Sequence, residues 1–371
     1  MQSQENLREP GAAPRAWVLQ SPHSGDNTQL RALSSALGWP AEVKRLSYKA
    51  SEGALRFLSL PSLAGVDLAK SSPLSPPWPD LVLCSGRGAE AGSFWLKRQN
   101  PKLRIVFIGT PWSALHRFDL VITTPQYRLP EASNVLHLTL PLHDVGPERI
   151  AAQARLWEPR FAHLPRPFTA VLVGGRRGPH LFPPPSPPRP GRGAGGPGRG
   201  KGGAPPPSTS ARTGEAAVAA LEAAIGVPHV LYRWEGPSGE NPFHAFLGLA
   251  EDIVVTADSV SMLAEASATG KPVHLFDIED GPYSMRAEEG GDAARPPPIG
   301  WKGRTLDATF FRLLINHAPA RFSRDLRIVH RQLIAAGRAA WLGQEAPAPR
   351  PPGPAEGLAE AVTRIRALFG L

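Results

Sequence analysis

Short continuous runs of apolar residues, separated by stretches with helical periodicity, limit this chain's folding choices more than any other feature. They occur at Ala16-Trp17-Val18-Leu19-Gln20, Asp80-Leu81-Val82-Leu83-Cys84, Arg104-Ile105-Val106-Phe107-Ile108, Phe118-Asp119-Leu120-Val121-Ile122 and Asn134-Val135-Leu136-His137-Leu138. Runs of this kind, without polar alternation, belong to strands buried on both faces, the signature of a parallel sheet covered by helices. After the first run, Leu30, Leu33 and Leu37 fall at helical spacing and Gly38 stops the helix. Val43 to Tyr48 reads as a further strand and Ala89 to Arg98 as a helix.

The pattern then starts again. A helix over Pro147 to Trp157 and the proline-bearing stretch Pro159 to Pro167 mark a hinge. Beyond it, Ala170 to Val173 is a strand ending in Gly174-Gly175, and strands are expected over His229 to Trp234, Asp252 to Thr256 and Pro272 to Phe276. Helices are expected over Glu215 to Ile225, Phe243 to Leu249, Val260 to Ala268, Leu306 to Ile315, Arg324 to Trp341 and Glu356 to Phe369. The expectation is an α/β protein of two Rossmann-like domains, over 16–158 and 168–345, with a ligand cleft between them at the carboxyl ends of the strands. Residues 1–15 read as a disordered start, 346–354 as a proline-rich spacer, and 355–371 as a C-terminal helix.

Composition narrows the function classes once its unevenness is seen. The 371 residues suit two domains and include 43 prolines. Ten of those prolines, with eight glycines, lie in the 25 positions from Pro183 to Pro207. No helix survives there, because each interior proline costs about 3 kcal/mol. The segment is either a genuine basic loop or a local error in the sequence. The net charge of +9 has the same origin: Gly174 to Gly214 holds seven basic residues and no acidic one, and the remainder stands at 34 basic against 32 acidic. A nucleic-acid footprint on a folded face is therefore not expected. The glycines at 191, 193 and 196, and the run Gly195 to Lys201, imitate nucleotide-binding motifs but neither follow a strand nor open a helix.

Cys84 is the lone cysteine, so an internal disulfide is ruled out, and no Cys/His cluster suggests a metal site. The start of the chain lacks the apolar core of a secretory signal, and no run approaches the length of a membrane span. A soluble protein of a reducing compartment is expected.

The chemistry concentrates in 241–276. Asn241-Pro242 opens one helix, and Asp258-Ser259 stands at the start of another, after a strand. Short polar side chains there satisfy orphan amides, and the same amides accept a phosphate when the helix end is open. Ser261 and Glu265 are four apart and share a helical face, where a carboxylate offers two acceptors to a sugar diol. Gly270-Lys271-Pro272 closes the helix. In the loop after the first strand, His23 and Asp26 are candidate general bases, Asp26 being better suited to capping the following helix.

The stretch from Thr256 to Val273, with Asp258-Ser259, Ser261, Glu265 and Gly270-Lys271-Pro272, closely resembles the hallmark of the mitochondrial fission "elongated mitochondria" family and its bacterial members. Gly25-Asp26 and Gln29, Ser85-Gly86-Arg87, Phe118 to Val121 and Leu164 to Pro167 resemble further landmarks of that family. Ser208 to Thr213 resembles its Ser-Arg-Arg-Thr motif, with Ala211 in place of one arginine. In the family a helix and a strand occupy the span filled here by Pro183 to Pro207, which favours the sequence-error reading.

The resemblance implies a fold like the two-domain GT-B glycosyltransferases, with a nucleoside-diphosphate sugar as donor and neither a metal nor a cofactor. It implies donor contacts from Ser210, Arg212, Thr213, Asn241, Asp258, Ser259, Ser261, Glu265 and Lys271, with Glu265 on the ribose. Arg87, Arg212 and Lys271 are candidates to offset leaving-group charge, and Asp26, with His23 behind it, to act as base. The implied acceptor is an envelope glycan or lipid-linked hydroxyl, met by a cytoplasmic protein at the inner face of the membrane without spanning it. A non-catalytic interaction protein of the same fold is the alternative. An epimerase fits poorly, because no Tyr-x-x-x-Lys pair or Rossmann fingerprint comes after the first strand.

Overall fold

The computed structural model describes residues 12–20, 24–49, 61–163, 166–174, 207–208, 240–277, 285–286, 313, 317, 324–351 and 357–371. Residues 1–11 of the expected disordered start, the helix over 215–225, all of the helix over 306–315 except residue 313, the strand over 229–234 and nearly all of 183–207 lie outside these residues. The chain divides into unit 1, residues 1–144 with 356–371, and unit 2, Val145–Ala355.

Unit 1 holds a six-stranded parallel sheet in the order β2-β1-β3-β4-β5-β6. Its strands are β1 (Ala16–Gln20), β2 (Ala41–Arg45), β3 (Leu81–Ser85), β4 (Arg104–Ile108), β5 (Leu120–Thr123) and β6 (Val135–His137). Helix α1 (Ser24–Leu37) follows β1, and α2 (Arg87–Gln99) follows β3. Gly38, at φ +68°, takes the left-handed turn that releases the chain from α1. Both faces of the sheet are buried, as the unbroken apolar runs require. Ala16, Val18, Leu81, Leu83, Val106 and Ile108 pack on one side with Leu30, Leu33 and Leu37 of α1. Trp17, Leu19, Val82, Cys84, Ile105 and Phe107 pack on the other with Phe94 and Leu96 of α2. Cys84 is thus a core residue whose thiol burial holds well above its ordinary range.

Unit 2 opens with α3 (Pro147–Phe161), so this helix belongs with the second unit rather than with 16–158. Its five-stranded parallel sheet runs β11-β10-β9-β7-β8, built from β7 (Thr169–Leu172), β8 (Pro207–Ser208), β9 (Asp252–Thr256), β10 (Val273–Phe276) and β11 (Ala340–Trp341). Among the described residues, helices α4 (Phe243–Leu249), α5 (Val260–Ala268) and α6 (Arg327–Ala335) pack in the same unit. Short β8 pairs in parallel with β7 at the sheet edge, where the missing N–H of Pro207 does little harm. Helix α3 meets α4 closely enough that a Cβ at Gly248 would overlap Ala154.

Two expectations change. The helix anticipated over Arg324 to Trp341 is only α6: Gly337, at φ +58°, turns the chain, and buried Ala340-Trp341 becomes the edge strand β11. The second strand is Ala41–Arg45 rather than Val43 to Tyr48, and Tyr48 instead makes a lone antiparallel bridge to Val66.

The last helix, α7 (Leu358–Ala367), folds as part of unit 1. Ala361 and Ile365 are fully buried against the α1 face of the sheet, and Phe369 meets Trp39 edge-on at 5.1 Å. The Arg366 guanidinium donates to the Leu37 carbonyl at 3.4 Å, and Gly357 approaches Leu138 so closely that a Cβ there would overlap it.

Candidate functional site

In open parallel sheets, ligands bind beyond the carboxyl ends of the strands, where successive connections diverge. Each unit has one such point. In unit 1 the chain leaves β1 for β2 on one side, whereas β3 and its successors continue on the other. In unit 2 the divergence lies between β7 and β9.

At the unit 2 crevice, Gly174 follows β7 and the turn Ala257-Asp258-Ser259 follows β9. The Gly174 N–H donates to Thr256 Oγ1 at 2.8 Å. A Cβ on Gly174 would overlap the Asp258 carboxylate, so the close approach of these loops requires glycine. The turn itself is held from several sides. Ala257 N–H donates to the Phe276 carbonyl of β10 at 2.9 Å, and Ser259 N–H to the Thr256 carbonyl at 3.1 Å. From α6, the His330 ring bonds the Ala257 carbonyl through Nε2 at 2.8 Å.

Ser259 is the N-cap of α5, yet its side chain makes no capping bond. Its Oγ is buried and has no hydrogen-bond partner among the described residues. Asp258 is equally buried. Packed against Gly174, Asp258 reads as the anchor of the turn. One turn into α5, Ser261 is half-buried and Glu265 is 9% exposed. Glu265 Oε2 lies 3.5 Å from His244 Nε2 on α4. That helix starts where Asn241 Oδ1 accepts the Phe243 N–H at 3.0 Å, so the Asn241 amide is in use at the helix entry.

Lys271 has a different setting. Its ammonium donates to the carbonyls of Leu247 at 2.8 Å, Gly248 at 2.6 Å and Ala250 at 2.5 Å. Arg166 donates to the Leu249 carbonyl at 3.1 Å and pairs with Glu251. The two cations complement the negative end of α4. Burial depresses the Lys271 pKa. Three donors on three carbonyls leave Lys271 no hydrogen for a phosphate.

In unit 1, Asp26 occupies the first turn of α1 and is half-exposed, at the carboxyl end of β1. Ser85 ends β3, and Arg87 opens α2 beside it. His23, Ser210, Arg212 and Thr213 lie outside the described residues. The structure therefore brings Asp258, Ser259, Ser261 and Glu265 onto one turn and helix, places Asn241 at the entry of α4, and puts Lys271 at the far end of that helix. Sequence reasoning missed Gly174's contact with Asp258, and His244 and His330 altogether. The glycine pair after a strand was the one visible signal; the two histidines reach their partners only through the fold.

Chemically, the start of α5 offers an anion first-turn amides and a hydroxyl that have no partner among the described residues, and Glu265 offers acceptors to neutral hydroxyls. Among the described residues no group of three or more His, Cys, Asp or Glu could hold a metal ion. No helix among them is long and apolar enough to cross a membrane.

Comparison with known proteins gives a family at the level of sequence. The mitochondrial fission ELM1 family model matches residues 24–293. The mitochondrial fission protein ELM1 of Arabidopsis thaliana is 27% identical over 229 residues, covering 54% of this chain and 52% of that protein. The match thus spans about half the length of the curated relative. Among solved structures, a candidate UDP-N-acetylglucosamine 2-epimerase from Listeria monocytogenes is 12% identical at a TM-score of 0.44, covering 96% of each chain. The UGT89C1 protein of Arabidopsis thaliana, complexed with UDP, is 10% identical at a TM-score of 0.39, covering 95% of this chain and 99% of that one. Both structural likenesses are faint and carry no weight. The family match rests instead on nearly three-quarters of the sequence, including the β9 to β10 region that builds the crevice of unit 2, and the chain belongs to the mitochondrial fission ELM1 family.

Proposed function

We propose that this protein binds a nucleoside-diphosphate sugar at the β7/β9 crevice of unit 2 and transfers the sugar to a hydroxyl acceptor. The observation that carries the reading is the start of α5: a buried Ser259 hydroxyl without a partner, at a divergence point of the sheet, beside a backbone approach that only glycine permits. A diphosphate oxygen is an acceptor for that hydroxyl and for the first-turn amides, and the helix dipole favours its charge. Glu265, on the same helix, is the acceptor for the ribose hydroxyls, with His244 Nε2 3.5 Å from one carboxylate oxygen.

In the transfer, the acceptor hydroxyl loses its proton to a base as its oxygen bonds the anomeric carbon. The bond from that carbon to the diphosphate breaks, and the nucleoside diphosphate leaves with the electron pair. Asp26 of unit 1, half-exposed at a strand end, is the base in this reading, with His23 as its sequence neighbour. Arg87 and Arg212 are the basic groups that offset leaving-group charge; Lys271 is committed to α4. The acceptor class is an envelope glycan or lipid-linked hydroxyl, reached from the cytoplasmic side.

Calorimetric titration with UDP-, GDP- and ADP-sugars tests the reading. One member of the panel is expected to bind, and Glu265→Ala is expected to abolish that binding while the fold persists. Silence across the panel supports the second reading, a non-catalytic interaction protein, which the name of the Arabidopsis relative favours.

A further inference from the structure

We infer that His330 is a positioning residue for the unit 2 crevice: from α6 it sets the Ala257 to Ser259 turn and thereby aims the first amides of α5. The inference deepens the nucleotide-sugar reading and rests on it for its ligand, but the turn can be observed without one. His330 is 73 residues from Ala257 in sequence, and its ring is buried at 1% exposure. Because its partner is a carbonyl, Nε2 carries the hydrogen, so the tautomer is fixed. Nδ1 has no partner among the described residues, so nothing there stabilises a second ring proton.

The ring itself is held in place. Trp341 of β11 meets it edge-on at 5.5 Å. The charged groups around it are Asp325, Arg327 and Arg331, and Asp325 is paired with Arg327 at 2.8 Å. Burial holds the imidazole neutral, with a pKa pushed down to about 4. Among the described residues, further restraints on the turn come from the strands, from Gly174 and from within the turn and α5, and they act at Thr256, at the Ala257 N–H, at Asp258 or at Ser259. His330 alone among the described hydrogen bonds takes the Ala257 carbonyl. That carbonyl is the last group before Asp258-Ser259, so rotating its peptide plane re-aims the N–H of Asp258 and the cap beyond it. A neutral donor suits this place, since a buried imidazolium would face the positive end of α5 with its second ring proton unpaired among the described residues.

Amide hydrogen exchange on the full chain, for wild type, His330→Leu and His330→Gln, tests the assignment. In the leucine variant, exchange over 257–261 is expected to rise roughly tenfold, the scale of one lost buried hydrogen bond. Strands β7 and β9 should keep their protection, and glutamine, which retains a donor, should restore most of the effect. Unchanged exchange over 257–261 in the leucine variant overturns the assignment, as does a loss spread evenly through unit 2. Titration with UDP provides the second reading: the leucine variant should bind about tenfold more weakly than wild type, and equal affinity overturns the positioning role. If wild type binds no UDP while exchange responds as expected, the nucleotide reading falls and the hold of His330 on the turn stands.

Discussion

In unit 1 the residues that open α1, Gly25 to Gln29, all keep part of their surface in solvent. In unit 2 the residues leading into α5, Asp258 and Ser259, are 1% and 2% exposed and are gripped from β7, β10 and α6. The two sheets share parallel topology and a divergence point, yet one crevice presents its chemistry to water and the other has its groups set in advance. An acidic residue shows the contrast most directly. Asp26 sits near solvent at a helix N-terminus, whereas Asp258 is wedged against Gly174. Preorganisation suits a site that must recognise a fixed anion, and exposure suits one that must exchange a proton with an incoming hydroxyl.

The largest expected difference between the units is in acid. His330 is protonated near pH 6.5 when unfolded and near 4 when folded. Between those values the unfolded chain binds the extra proton, so stability is fully present above pH 6.5 and drains as pH falls towards 4, by about 3 kcal/mol for a shift of this size. His274, also depressed by burial, acts with the same sign. Urea titrations at pH 4.5 and 7.5 should show this loss in wild type and a flatter response in His330→Leu.

A matched pair of glycine substitutions sharpens the contrast. Gly174→Ala should cost about 3 kcal/mol, because the new methyl meets a buried carboxylate held by its turn. Gly88→Ala in α2 also places a methyl against a neighbour, the half-exposed Tyr48 ring, which can swing aside; its expected cost is below about 1 kcal/mol. Equal losses in thermal unfolding would erase the distinction between a clamped and a yielding crevice.

Smaller than the Gly174→Ala effect is Lys271→Met, at about 1–2 kcal/mol from the carbonyls of α4 left without their cation. Its binding of any nucleotide-sugar that wild type binds should be unchanged. A selective loss of affinity in calorimetry would return Lys271 to the site.

The elements readable from sequence are those whose signal is local. Phe243–Leu249, Asp252–Thr256 and Val260–Ala268 arise from apolar spacing and flanking breakers within each segment. Ala340-Trp341 was illegible as a strand because an alanine-rich stretch favours helix until Gly337 turns left-handed and the β10 edge captures the two residues beyond the turn. Of the candidate site, Asp258, Ser259, Ser261 and Glu265 were visible as a helix start and a shared face. Lys271 shows the limit of that method: a lysine after a helix looks available until the fold brings it to the end of α4. His330 gives no local cue, since its partner is a carbonyl that any residue could supply.

The docking of α7 onto α1 has a consequence for synthesis. Leu33 and Leu37 emerge from the ribosome early, but the surface they share with Ile365 is closed only after all of Val145–Ala355 has been translated. Unit 1 must therefore wait, with greasy residues bare, for a segment made after the whole of unit 2 before its own core is complete.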